Sequence, residues 1–194
     1  VETAVSAVKA CIKKTGYLYA DTHSTQPVKL DAYNGKKAEF IISGDKLFVK
    51  SFDASNDTFS LFRHTVTNGV VSAAEMLDTS IKACNIIGAD VWYRRSVTGS
   101  SLCDLYKYSA EKEKIDGDVA SFVELPDGSV LIVKNFVSSS DGEIADLYLY
   151  DGKKTSLVAE KTELKNMKYS DKGISFIRSG GDLCIYSKNK LAII

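Results

Sequence analysis

Residues 145–161 read ADLYLYDGKKTSLVAEK, and this stretch decides the fold. Leu147 and Leu149 alternate with Tyr148 and Tyr150. The Asp151-Gly152 pair follows, and a second short apolar run passes through Leu157, Val158 and Ala159. Alternation at period two gives a strand one apolar face, and Asp-Gly between two such runs supplies a tight turn, so a β-hairpin is predicted here. The first half of the stretch recurs as Asp104-Leu105-Tyr106-Lys107-Tyr108-Ser109 and as Asp182-Leu183-Cys184-Ile185-Tyr186-Ser187. A unit returning at about forty residues marks a stacked or radial array, because one such unit cannot bury its apolar face alone.

Working outward, the strand–turn–strand pattern covers residues 16–194. Gly44, Gly88, Gly128 and Gly173 stand at roughly even spacing and are read as repeat openings. Pro126-Asp127-Gly128 is a strong turn signal, and the SVLIVKNF run at 129–136 is the most apolar strand of the chain. Short strands are expected at 111–115 and 119–125, and again at 164–169. Each full repeat carries about four strands, the number in a propeller blade. The first repeat is short and the last stops after three strands. In ring closure one terminus donates a strand to the blade formed by the other, and the N-terminal segment is the expected donor. The expectation is an all-β, β-propeller-like array of about four to five antiparallel blades.

Residues 1–15 read differently. Val1, Ala4, Val5, Val8, Cys11 and Ile12 fall at helical spacing, with Glu2, Thr3, Ser6, Lys9 and Lys13 on the opposite side. One N-terminal amphipathic helix is predicted, ended by Thr15-Gly16 and placed to cover exposed strand edges. The domain reading is therefore a helix at 1–15 and a repeat domain at 16–194.

The recurring cycle resembles the propeller repeats of bacterial TolB-like and related surface proteins. The runs that carry the likeness are Gly44-Asp45-Lys46-Leu47-Phe48-Val49, Ala89-Asp90-Val91-Trp92-Tyr93, Asp146-Leu147-Tyr148-Leu149-Tyr150-Asp151-Gly152 and Gly181-Asp182-Leu183-Cys184-Ile185-Tyr186. The resemblance implies a propeller fold and a place in a larger extracellular or cell-envelope protein. It implies no particular activity, since propellers host binding and catalysis alike.

Bulk properties narrow the function. Lys plus Arg and Asp plus Glu stand at 25 each, without the basic excess of a nucleic-acid binder, so no nucleic-acid partner is expected. No apolar run approaches the roughly twenty residues of a membrane-spanning helix. The first residue is Val1 and not Met, which is compatible with a leader or anchor removed upstream. Cys11, Cys84, Cys103 and Cys184 are scattered with no C-x-x-C pair, so no metal is expected, and Cys103 and Cys184 read as small buried apolar residues. No cofactor motif is present.

Gly152-Lys153-Lys154-Thr155 suggests a phosphate loop, but Leu147 stands where that loop needs a glycine, and a hairpin turn is the better reading. His64 lies on an apolar strand where sister repeats carry Tyr, a structural position. His23 sits in a polar loop beside Asp21 and Ser24, too close in sequence for a triad drawn from distant loops. The polar segment 138–143 carries oxygen ligands without EF-hand spacing and reads as a hairpin loop. Tyr106, Tyr148 and Tyr150 read as packing between blades. The aromatic-plus-basic cluster Trp92, Tyr93, Arg94, Arg95 is the candidate binding surface, although alternation sends Trp92 and Arg94 to one side and Tyr93 and Arg95 to the other.

The leading functional expectation is a non-catalytic module that binds a protein or a small ligand. One alternative is a hydrolase or lyase at the mouth of a central channel, built from acids such as Asp45 and Asp90. Another is a structural module that completes its ring by self-association through open strand edges, as a homo-oligomer.

Overall fold

The computed structural model describes residues 9–12, 17–21, 28–32, 38–53, 57–67, 70–87, 89–140, 142–170, 173–187 and 190–194. Every regular element among them is a β-strand, and the described strands pair antiparallel. The chain divides into two compact units, Val1–Cys84 and Asn85–Ile194.

In the first unit β1 (Lys9–Ile12), β2 (Tyr17–Asp21) and β3 (Val28–Ala32) form a small three-stranded sheet. Residues 9–12 fall within the segment predicted to be helical. They pair with residues 18–21 as a strand, so that part of the expectation is corrected. Residues 1–8 of the predicted helix lie outside the described residues. The physical reason is a competing period: Ala10 and Ile12 also alternate, and a neighbouring strand satisfies their backbone groups. Next come β4 (Ala38–Ser43), β5 (Lys46–Phe52), β6 (Phe59–Thr67), the short β7 (Val70–Val71) and β8 (Glu75–Ile87). Gly44, at a φ of 58°, and Asp45 make the two-residue turn between β4 and β5. Leu47, Val49, Leu61 and Ile81 are fully buried there, and so is His64. A ring nitrogen of His64, Nδ1, bonds the Ser72 carbonyl at 2.9 Å, which satisfies a buried polar group and supports the structural reading of that residue.

The second unit is a meander of nine strands in chain order: β9 (Asp90–Ser96), β10 (Cys103–Tyr108), β11 (Lys112–Glu124), β12 (Val130–Ser139), β13 (Gly142–Tyr150), β14 (Thr155–Ser170), β15 (Gly173–Arg178), β16 (Leu183–Ser187) and β17 (Lys190–Ile193). They follow one another in a continuous antiparallel order, and two of them change partner partway along. Residues 112–119 of β11 pair with β10 and residues 119–124 pair with β12. Residues 155–163 of β14 pair with β13 and residues 162–170 pair with β15. The short strands predicted at 111–115 and 119–125 are thus one bent strand, and 164–169 is the far half of another.

The bend has a repeated construction. Asp118 in β11 and Lys161 in β14 hold φ at 57° and 49°, and Ser80 in β8 holds 58°. Each is followed by a fully buried residue: Val119, Thr162 and Ile81. Those three pair in turn with Cys103, Ala145 and Phe59. A left-handed residue in a strand acts as a bulge, which bends the strand and shifts its register. Four-stranded sets follow: 119–124 of β11 with β12, β13 and 155–163 of β14, then 162–170 of β14 with β15, β16 and β17. The strands after Gly128 and Gly173 are therefore second strands of their sets, not first, and the Asp-Leu-Tyr segments sit on third strands.

The second unit has two apolar cores. Leu131, Val133, Leu147 and Leu149 pack with Ile174, Phe176 and Cys184. Val130, Ile132 and Tyr150 pack with Trp92, Leu105 and Val119, and Tyr148 packs against that second cluster. Alternate residues of β12 thus enter opposite cores, which is why 130–133 is an unbroken apolar run. Tyr148 and Tyr150 fill space between sheets, as the sequence suggests. Tyr106 instead stacks on Tyr93, with ring centres 5.6 Å apart. Cys84, Cys103 and Cys184 are free thiols in buried positions, and burial pushes the Cys84 thiol up to about 11.

Candidate functional site

Alternation along β9 divides the predicted aromatic–basic cluster. Trp92 is 4% exposed and faces the core of Leu105 and Ile132. It meets Tyr150 edge-on at 5.6 Å and Phe122 at 6.5 Å. Tyr93 points the other way, onto Tyr106. The guanidinium of Arg94 donates to the Ala120 carbonyl, and Arg95 is half-buried. The four residues form no single outward patch; of them, Trp92 reaches a cavity.

That cavity, of about 400 Å³, lies at one end of the second unit. The pairs Val91–Tyr108, Glu124–Val130 and Val130–Tyr150 bring the start of β9, the end of β10 and two Asp-Gly turns to the same rim. Its wall holds Asp90, Trp92, Lys107, Asp127, Tyr150 and Asp151. Asp90 binds the Lys107 ammonium at 2.9 Å, and the same ammonium lies 5.8 Å from the centre of the Trp92 ring. The hydrogen bond from Lys107 to Asp90 raises the lysine's pKa.

Asp127 and Asp151 are positioned by their own turns. The Ser129 hydroxyl and amide donate to Asp127 Oδ1 at 2.5 and 3.0 Å. The amides of Lys153 and Lys154 donate to Asp151 Oδ1 at 2.9 and 3.0 Å, and Gly152 takes the left-handed φ of 94° that the hairpin requires. The 152–155 segment is thus a hairpin turn and not a phosphate loop. These bonds hold both carboxyls below the ordinary carboxylate range. Tyr150 is pushed up, first by burial and then by Glu113. Among the described residues, no three His, Cys, Asp or Glu side chains converge as a metal site.

Sequence reading treated Asp127 and Asp151 as turn residues only. A signal was present, since Asp127-Gly128 and Asp151-Gly152 are the same dipeptide, but it is the pairing of β12 with β11 and β13 that brings both to one rim. Asp45 and Asp90, the acids of the enzymatic alternative, are each ion-paired, Asp45 with Lys46 at 3.3 Å. His23 and Asp141 lie outside the described residues.

No family model and no curated protein matches the sequence. Among solved structures the chain is similar to TolB from Acinetobacter baumannii, at 15% identity and a TM-score of 0.45 over 91% of this chain and 48% of that one. It is similar to the β-propeller domain of the Trilobed protease from Pyrococcus furiosus, described as having an open velcro topology, at 15% identity and 0.48 over 92% and 62%. It is also similar to the Pyrococcus horikoshii acylaminoacyl peptidase, at 9% identity and 0.49 over 81% and 32%. TolB, whose family the repeats resemble, is thus among them, and the chain spans less than two thirds of each.

Proposed function

We propose that this chain is a β-propeller-like array of about four to five blades that serves as a non-catalytic binding module, part of a larger envelope or surface protein. The repeated four-stranded sets and the resemblance of the repeats to TolB-like proteins support the array. The observation that carries the binding role is the state of the cavity's acids. A general acid or base works best with a pKa near the operating pH. Asp127 and Asp151 are shifted the other way, by donors built into their turns, and so stay charged. Fixed charge beside an aromatic wall suits recognition. The test is calorimetric titration with a panel of charged small molecules, run beside turnover assays on peptides and glycans. Saturable binding without turnover is expected; turnover abolished by Asp127→Asn would overturn the reading.

Self-association is a second reading, favoured by β17. It stands at the end of the strand order with Leu191 and Ile193 exposed, and such edges pair readily with another chain. Light scattering across a concentration series separates an associating chain from a monomer.

A further inference from the structure

We infer that the rim cavity binds an alkylammonium group, carried either by a free diamine or by a lysine side chain of a partner. This rests on the binding-module reading and names its ligand.

The first support is a native group already held in the same way. The Lys107 ammonium sits 5.8 Å from the Trp92 ring centre with the Asp90 carboxylate at 2.9 Å, so the wall accepts an ammonium between an aromatic face and a carboxylate. That pair is internally neutral. The charge left over comes from Asp127 and Asp151, with Glu124 also on the wall.

The second support is the arrangement of acceptors. The hydrogen bonds to Asp127 and Asp151 all fall on Oδ1, which fixes each carboxylate and leaves Oδ2 for a ligand. An ammonium has three donors and can use both. Two cations lie on the Asp151 turn, Lys153 and Lys154; both give their backbone amides to Asp151, and Lys154 also acts on it by its charge.

The third support concerns size. These carboxylates do not converge as a metal site, and about 400 Å³ is within the range of organic-ligand cavities. The apolar edges of Ile87, Trp92 and Tyr150 that line the cavity alongside the acids suit an alkyl chain behind a charged head.

The test uses the chain's one tryptophan. Trp92 lines the cavity, so its fluorescence reports occupancy without a label. The full chain is titrated with cadaverine, with a blocked Gly-Lys-Gly peptide, and with pentanediol and glutarate as neutral and anionic counterparts. The inference expects a saturable change with at least one amine and none with pentanediol or glutarate. Preference for cadaverine identifies a free diamine, and preference for the peptide identifies a lysine side chain. Asp127→Asn and Asp151→Asn keep an oxygen for the turn amides while removing charge, and each is expected to weaken amine binding about tenfold. Asp182→Asn, outside the cavity, is expected to leave it unchanged. No saturable response to either amine, or equal affinity in the double Asp127→Asn/Asp151→Asn variant with its thermal transition intact, overturns the inference. Pentanediol or glutarate binding as tightly as cadaverine also overturns it but leaves the binding-module reading standing. Turnover of a substrate sinks that reading separately.

Discussion

β13 and β16 carry nearly the same sequence signal and have different surroundings. Asp146-Leu147-Tyr148-Leu149-Tyr150 and Asp182-Leu183-Cys184-Ile185-Tyr186 align residue for residue. Leu147 is 0% exposed and Leu183 is 42%; Leu149 is 6% exposed and Ile185 is 39%. The Tyr at the end is buried in both. β13 contributes to two cores, Leu147 and Leu149 to one and Tyr150 to the other. β16 contributes Cys184 and Tyr186 to a single core. A repeat in sequence therefore repeats the strand and its turn, while the number of covered faces is set by what packs on either side.

The strongest way to break this comparison is paired truncation. Leu147→Ala should cost about 3 kcal/mol, because it opens a cavity in a closed core. Leu183→Ala should change stability by less than about 0.5 kcal/mol, as an exposed substitution does. Urea unfolding of the two variants measures both, and equal losses would refute the one-face account of β16.

The aspartates that open the two segments differ in the same direction. Asp146 accepts from the Lys161 amide at 2.8 Å and from the Asn135 amide side chain at 2.7 Å, so it ties down two left-handed residues in neighbouring strands. Asp182 pairs with Arg178 at 2.7 Å on the surface. Asp146→Ala should cost about 1–2 kcal/mol, and Asp182→Ala less than about 0.5 kcal/mol. Thermal unfolding at matched salt checks the difference.

The bend that follows β13 offers a gain. Thr162 is fully buried and its hydroxyl has no hydrogen-bond partner, whereas the equivalent positions hold Val119 and Ile81. Thr162→Val should stabilise the chain by about 1 kcal/mol, since it removes a buried hydroxyl without changing shape. A loss on calorimetry would show that the hydroxyl serves the bend.

The smallest effect is in the twin tyrosines. Burial pushes up both phenols, Tyr150 with help from Glu113 and Tyr186 with help from Asp127 and Asp151. The unfolded chain then releases these protons first, near the ordinary value of 10.0, while the folded chain keeps them. The folded state binds more protons, so this contribution is whole below that pH and is lost as pH rises through the folded values. Tyr150→Phe and Tyr186→Phe should each flatten the alkaline fall in melting temperature. Phenolate absorbance, followed against pH, should show the late-ionising group gone.

Much of the fold was legible because strands and turns are local. Period-two alternation marks β13, Asp151-Gly152 marks its turn, and the unbroken apolar run of β12 marks a strand buried on both faces. The bends at Asp118 and Lys161 were not legible. Neither is a glycine, and Lys161 is held by contacts distant in sequence: the Asp146 carboxylate on its amide and the Ser179 amide, which donates to its carbonyl at 2.6 Å. A repeat phase read from the glycines falls one strand off for that reason: glycines mark the tight turns, while the changes of partner fall within β11 and β14. At the candidate site, Trp92 stood out by residue type, but Asp127 and Asp151 read as ordinary turn residues.

The sequence by itself determined the all-β character, the turns and the spacing of the repeats, because those depend on backbone preference and side-chain alternation over a few residues. Tertiary structure alone decided which faces are closed, where one sheet hands over to the next, and which turns meet at the cavity rim. Those outcomes depend on residues far apart in sequence, and no local pattern carries the energy of a contact between them.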